Sequence, residues 1–122
     1  MCAREATLLK KVPAALLELL GVGAGNAEVR QQDRSGADCV VATAGQTFVV
    51  EFRKSPSAAS LSAAARQVHD LAARFGSGAV PILAVPFMGE LGRRLCQEAG
   101  VAWMDLSGNA RIVTPVLRVI VE

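Results

Sequence analysis

GADCVVATAGQTFVVEFRKS, residues 36–55, is the stretch that decides the fold. It contains two runs rich in Val, Phe and Thr, at 39–43 and 47–52, and the residues Ala44, Gly45 and Gln46 between them supply a turn. We therefore predict a β-hairpin. If the hairpin folds about Ala44 and Gly45, residue 38 lies opposite residue 51 in the same register that pairs residue 42 with residue 47.

The predicted register brings two carboxylates together. Asp38 opens the first strand and Glu51 lies near the end of the second, so their Cβ atoms face each other at about 5 Å. Two carboxylates at that separation repel each other unless a proton or a cation lies between them. Because hard divalent cations prefer oxygen ligands, the pair predicts a Mg²⁺ or Mn²⁺ site. The alternative is a pair of solvated strand-end acids that help to form turns.

The order of Asp38, a short hairpin and Glu51-x-Arg53 resembles the PD-(D/E)XK phosphodiesterase superfamily, which is also called restriction-endonuclease-like. Within that superfamily, the segments RSGAD (34–38) and FVVEFRKS (48–55) are most similar to the Holliday-junction-resolvase and Mrr-like branches. The resemblance implies a metal-dependent nuclease that acts on DNA. It is also compatible with a homodimer formed through the exposed edges of the sheet.

The resemblance implies a set of metal ligands. Asp38 and Glu51 would hold Mg²⁺ or Mn²⁺, the backbone carbonyl of Phe52 could add a ligand, and Glu5 near the start of the first helix a further one. A bound metal would contact the scissile phosphate and lower the pKa of an attacking water.

Arg53 stands where the superfamily has a lysine, and Lys54 follows one position later. In the functional interpretation, both residues stabilise the charged phosphate, although a guanidinium stays protonated and cannot act as a general base. In the simpler interpretation, they form a basic strand end that neutralises Glu51. The exchange of lysine for arginine bears on catalysis more than on the fold.

Four residues on two predicted helices are candidates for nucleic-acid contact: Arg66, Gln67, Arg93 and Arg94. Gln67 resembles a position where some branches of the superfamily place a glutamine that faces the site, and a solvated helical glutamine is the alternative. The two consecutive arginines could contact phosphate, but such a pair is also typical of a solvated helix face.

The rest of the chain alternates between helices and strands. We predict a helix over 3–20 that is either kinked or divided at Pro13, an edge strand at 27–32 and a helix over 58–75. A strand at 80–87 should be buried on both faces, with Pro81 and Pro86 at its ends. A helix over 89–99 and strands at 101–106, 111–113 and 116–121 follow, and Asp105 and Asn109 shape a turn between two of them. This order predicts an α/β/α sandwich with a central mixed sheet flanked by helices.

At 122 residues, the chain should form one domain, 1–122. A net charge of +2 permits binding to nucleic acid without requiring it. Three cysteines without metal-ligand spacing, and no signal peptide, predict a reduced, cytoplasmic protein. No apolar run reaches the roughly 18 residues of a membrane span, and we expect neither a membrane nor a small-molecule cofactor as a partner.

Two function classes remain open from the sequence. The first is a metal-dependent endonuclease or a DNA-binding domain derived from one. The second is a non-catalytic interaction module, for example of a transcriptional regulator or a toxin–antitoxin system. The closing run VAWMDLSGNAR (101–111) is similar to one in bacterial proteins of this fold, some of which continue into a winged-helix domain. Whether such a domain is missing here stays open.

Overall fold

The computed structural model describes residues 3–32, 34–43, 45–54 and 57–122, with side chains from residue 6 onward. These residues form four α-helices, a short 3₁₀-helix at Ala24–Asn26 and seven strands. The helices are α1 Ala3–Leu9, α2 Val12–Leu20, α3 Ala58–Phe75 and α4 Glu90–Ala99. The strands are β1 Ala27–Gln31, β2 Cys39–Thr43, β3 Gln46–Phe52, β4 Ala79–Val85, β5 Ala102–Asp105, β6 Ala110–Thr114 and β7 Leu117–Val121.

All seven strands form one sheet in sequential order, β1 to β7. The pairs β3–β4 and β4–β5 are parallel, and the other neighbours are antiparallel, so the sheet is mixed as predicted. The three parallel strands end at the same edge, after Phe52, Val85 and Asp105. In α/β sheets with parallel strands, this carboxyl edge is where ligands bind.

Each face of the sheet has its own hydrophobic core. Helices α1 and α2 cover one face, and their Leu9, Val12 and Leu16 pack with side chains of β2 and β3. Helices α3 and α4 cover the other face, where Leu61, Val68 and Cys96 belong to the second core. The layers therefore form the predicted α/β/α sandwich. Among the described residues, no helix is both long and apolar enough to cross a membrane.

The N-terminal helical region is divided rather than kinked. The first helix ends at Leu9 and the second begins at Val12, with Pro13 in its first turn. A proline is tolerated there because the first backbone N–H groups of a helix have no intrahelical acceptor. Gly21 then ends the second helix with φ of 69°, a left-handed conformation that glycine adopts without steric cost.

The position predicted for Pro81 was wrong, because it lies inside β4 rather than at an end. The N–H of Leu106 donates a hydrogen bond to the carbonyl of Val85, so Val85 directs its backbone groups toward β5. Because this direction alternates along a strand, the other odd-numbered residues of β4, including residue 81, also direct their backbone groups toward β5. Since β5 begins opposite Ile82, the missing N–H of Pro81 removes no bond of that ladder. The strand also ends earlier than predicted, at Val85.

The helical spacing of α4 predicts that Leu91, Leu95 and Cys96 face inward, and this prediction is partly wrong. Leu91 is 49% exposed, and the buried residue beside it is Gly92, where a Cβ would collide with the sulfur of Met88. The missing side chain allows α4 to lie close to Met88 and to Leu61 of α3. Cys96 is buried as predicted, and Leu95 is half-buried.

Candidate active site

Asp38 and Glu51 come together at the end of the β2–β3 hairpin. The observed register pairs Cys39 with Val50, which places residue 38 opposite residue 51 as predicted. The backbone N–H of Phe52 donates a hydrogen bond of 2.9 Å to Asp38 Oδ2. This bond fixes the Asp38 carboxylate at the carboxyl edge of β3, beside the carboxylate of Glu51.

Arg53 binds the oxygens that surround this position. Its Nη1 donates to Glu51 Oε2 at 2.9 Å and to the carbonyl oxygen of Phe52 at 3.0 Å, and it lies 4.0 Å from Asp38 Oδ2. Its Nη2 donates to Gln67 Oε1 of α3 at 3.1 Å. One guanidinium nitrogen therefore contacts the strand-end oxygens, and the other contacts Gln67.

Glu51 is a buried acid whose hydrogen bonding is incomplete. The residue is 2% exposed, and among the described residues Oε1 has no hydrogen-bond partner. Burial raises the pKa of Glu51 above its ordinary value, and the charge of Asp38 raises it further, whereas the hydrogen bond and charge of Arg53 lower it. The ionised carboxylate is therefore costly in the folded protein, and an additional cation would stabilise it.

The oxygens present at this position fit a hard divalent cation. They are the carboxylates of Asp38 and Glu51 and the carbonyl of Phe52, which are the donor types that Mg²⁺ and Mn²⁺ prefer. Among the described residues, no group of three or more His, Cys, Asp or Glu is placed to hold a metal, so two carboxylates are the acidic part of the site. Arg53 Nη1 already contacts the same oxygens, and it would have to withdraw for an ion to bind.

The remaining residues of the predicted site have different positions. Gln67 is exposed, as a solvated glutamine would be, yet it reaches the site through Arg53. Lys54 is half-buried directly after Arg53, and Arg66 is exposed on α3. The side chain of Glu5 lies outside the described residues.

The two arginines of α4 differ from each other. Arg93 was predicted to face outward, but its guanidinium lies over the ring of the buried Trp103, 5.4 Å from the centroid. Arg93 Nη1 also lies 3.5 Å from Glu122 Oε2. Arg94 is exposed as predicted, and within the described part of the chain its ion pair is a long contact of 4.0 Å with Glu90. Arg93 is therefore a packing residue, and Arg94 remains a candidate for phosphate contact.

The buried cysteines do not supply a nucleophile. Burial raises the pKa of both Cys39 and Cys96 to about 12, and the charge of Asp38 adds to the effect at Cys39. A thiol in such a position stays protonated and chemically inert at neutral pH.

Comparison with known proteins extends these observations at the level of the fold. No protein-family model and no curated protein matches the chain. A crystal structure of a repair endonuclease from Pyrococcus abyssi matches with a TM-score of 0.59 and 20% sequence identity, over 87% of this chain and 47% of that one. The fold is nuclease-like. This confirms the predicted fold class, and the chain spans about half the length of that endonuclease.

The dependence of stability on pH should show that the fold disfavours the ionised form of Glu51. Because the pKa of Glu51 is raised from 4.5 in the folded protein, the folded state binds the proton more tightly than the unfolded state does. The free energy of unfolding therefore falls as the pH rises from about 4.5 through the raised pKa. Glu51→Gln stays neutral, so we expect a higher melting temperature than wild type at neutral pH, with the difference disappearing as pH falls toward 4.5. Circular dichroism melts over this pH range measure it.

Glu98→Gln in α4 is the matched control, because Glu98 is exposed and the loss of a surface charge there should change the melting temperature little. A lower melting temperature of Glu51→Gln at neutral pH would contradict the expectation. It would mean that the bond from Arg53 outweighs the burial of the charge.

Proposed function

We propose that the chain is a nucleic-acid-acting domain of the PD-(D/E)XK superfamily, a DNA endonuclease that depends on Mg²⁺ or Mn²⁺. One observation carries the proposal. Two carboxylates converge at the carboxyl edge of the parallel strands, and a buried oxygen of one of them, Glu51 Oε1, has no hydrogen-bond partner among the described residues. The nuclease-like fold and the neighbour's description as a repair endonuclease support the same activity.

The residues of this chain would have distinct tasks. Asp38 is oriented by the N–H of Phe52, and Glu51 is oriented by its place in a buried strand, so the two carboxylates and the Phe52 carbonyl are preorganised as ligands. A bound divalent cation would supply positive charge to the scissile phosphate and lower the pKa of a water. Arg53, once turned away from Glu51, would present its guanidinium to phosphate oxygens.

A second function, a non-catalytic nucleic-acid-binding module, is favoured by the position of Arg53. Its Nη1 makes hydrogen bonds of 2.9 and 3.0 Å to two of the oxygens that a metal would need. In this state, the guanidinium lends its positive charge to Glu51 and blocks the approach of a cation. A domain that kept this arrangement would bind its partner without cleaving it.

A plasmid-nicking assay with Mn²⁺ separates the two functions. The endonuclease should convert supercoiled DNA to open circles, and Asp38→Ala, which removes a proposed ligand, should abolish the conversion. DNA binding without cleavage, equally strong in wild type and Asp38→Ala, would favour the non-catalytic module. Neither cleavage nor binding at low salt would contradict both functions.

The exposed arginines predict how DNA affinity depends on salt. Each phosphate contact releases condensed counterions, so the logarithm of the association constant should fall linearly with the logarithm of the salt concentration. Replacing Arg66 and Arg94 together by Ala should lower the slope by about one for each lost contact. Fluorescence anisotropy over a salt series measures it. Arg118→Ala is the control that should leave the slope unchanged, because Arg118 is equally exposed but lies on β7 and not on the two helices that carry Arg66 and Arg94.

A further inference from the structure

An exposed phenylalanine follows β4 at the carboxyl edge of the sheet. Phe87 is 58% exposed, whereas its neighbour Met88 is fully buried and its neighbour Pro86 is half-buried. Single exposed apolar side chains are common on protein surfaces. Phe87 differs from the usual case in where its ring is placed, which is beside the candidate active site.

The backbone on both sides of Phe87 is held by hydrogen bonds. The carbonyl of Pro86 accepts a bond of 3.2 Å from the N–H of Leu106. The N–H of Met88 donates a bond of 3.1 Å to Oδ2 of the buried Asp105. The ring is thus presented to solvent by a segment that is anchored before and after it, so little conformational freedom is lost when the ring contacts a ligand.

Phe87 lies within one nucleotide's reach of the candidate active site. Strands β3 and β4 are parallel with Phe52 opposite Ala84, and the N–H of Arg53 donates to the carbonyl of Ala84 at 3.0 Å. Arg53 therefore lies beside Val85, one strand spacing of about 5 Å away. Phe87 follows Val85 by two residues, which is at most about 7 Å further. A nucleotide next to a phosphate at the acid pair can bridge this distance.

Basic residues occur on both elements that flank Phe87. Arg53 and Lys54 follow β3, and Arg94 is exposed on α4, where it lies 4.0 Å from Glu90. Sites for single-stranded nucleic acid combine cations, which contact the phosphates, with an exposed aromatic ring, which stacks on a base. This charge complementarity favours nucleic acid over an apolar protein segment as the occupant of the exposed ring.

We propose that Phe87 stacks on an unpaired base of the DNA whose phosphate lies at Asp38 and Glu51. The inference rests on the proposed function, because it takes the acid pair as the position of that phosphate. A base must leave its own stack before a ring can contact its face, so the interaction is open to single strands and closed to regular duplex. Because every base has a π face, Phe87 would select unpaired DNA without selecting a base sequence.

Binding measured apart from cleavage tests the stacking. Ca²⁺, which also takes oxygen ligands, replaces Mn²⁺, and fluorescence anisotropy follows a labelled oligothymidine or a blunt duplex. Phe87→Ala should weaken binding of the oligothymidine about tenfold and binding of the duplex little. Phe87→Trp keeps a stacking ring, so it should retain the wild-type affinity, and its indole fluorescence should fall when the strand binds.

Val116→Ala is the matched control and should bind both DNAs as wild type does. Val116 is 78% exposed in the turn after β6, and this turn lies at the opposite edge of the sheet because β6 is antiparallel to β5. Circular dichroism checks that each variant is folded.

The outcomes separate this inference from the proposed function. Equal binding of the oligothymidine by wild type and Phe87→Ala, or an unchanged fluorescence of Phe87→Trp, overturns the stacking and leaves the proposed function standing. A loss of affinity that is as large for the duplex as for the single strand also overturns it, since the ring would then not depend on an unpaired base. If wild type binds neither DNA at low salt, this inference and the proposed function fail together.

Discussion

Arg53→Lys is expected to cleave plasmid DNA in the presence of Mn²⁺ at least about a hundredfold faster than wild type. This factor is the rate enhancement that one correctly positioned acid–base group typically provides. The wild-type guanidinium contacts Glu51 at 2.9 Å and the Phe52 carbonyl at 3.0 Å, and therefore competes with a metal for both oxygens. A lysine ammonium is a compact point charge that lacks the second nitrogen with which Arg53 holds Gln67. The substitution should free the carboxylates while keeping a positive charge beside them.

The lysine should also change the chemistry available to the site. An ammonium that is desolvated near a cation can lose its proton, so it can orient or deprotonate a water, whereas a guanidinium stays protonated. We therefore expect tighter Mn²⁺ binding as well as cleavage. A larger increase in melting temperature on addition of Mn²⁺ would show this without reference to activity, because a ligand bound only by the native state stabilises it.

The double variant Arg53→Lys/Asp38→Ala is the control, since the gain in cleavage should vanish when a proposed metal ligand is removed. If wild type cleaves DNA and Arg53→Lys does not, cleavage requires Arg53. If neither protein cleaves, the non-catalytic module becomes the better description. The same assay therefore distinguishes a nuclease that Arg53 inhibits, a nuclease that requires Arg53 and a domain that binds DNA without cleaving it.

The hairpin could be predicted from the sequence because its determinants are local. Two runs rich in Val, Phe and Thr and a short glycine-containing turn between them predict the register, and the register places residue 38 opposite residue 51. The contact between Arg53 and Gln67 could not be predicted in this way. It joins a strand end to the side of α3 through two long side chains, and its formation depends on how the helix lies on the sheet.

The errors in the sequence prediction have equally specific causes. Leu91 has the helical spacing of a buried residue, but the close approach of α4 to Met88 depends on the missing side chain of Gly92. The pair Arg93–Arg94 has the pattern of a solvated helix face, whereas the position of Arg93 over Trp103 depends on a strand that follows it in the chain. In both cases, tertiary packing overrode a pattern that is correct for an isolated helix.

Asp105 and Glu51 illustrate how burial alone does not identify a functional acid. Both lie at the carboxyl edge of the sheet, and both are buried. The oxygens of Asp105 accept hydrogen bonds from the backbone N–H groups of Met88, Ser107 and Asn109 and from the Asn109 amide. Glu51 Oε1 has no partner among the described residues. The first acid joins a turn to the start of α4, and the second is available to a ligand.

Substitution should therefore have opposite effects at the two acids. Asp105→Ala leaves the N–H of Met88 buried without its acceptor and removes the acceptors of the β5–β6 turn, so we expect a loss of about 3 kcal/mol or more in the free energy of unfolding. Urea denaturation monitored by circular dichroism measures this loss. Asp70→Ala, at an exposed position of α3, is the control and should change stability little. If Asp105→Ala is as stable as the control while Glu51→Gln is destabilised at neutral pH, the roles assigned to the two acids are reversed.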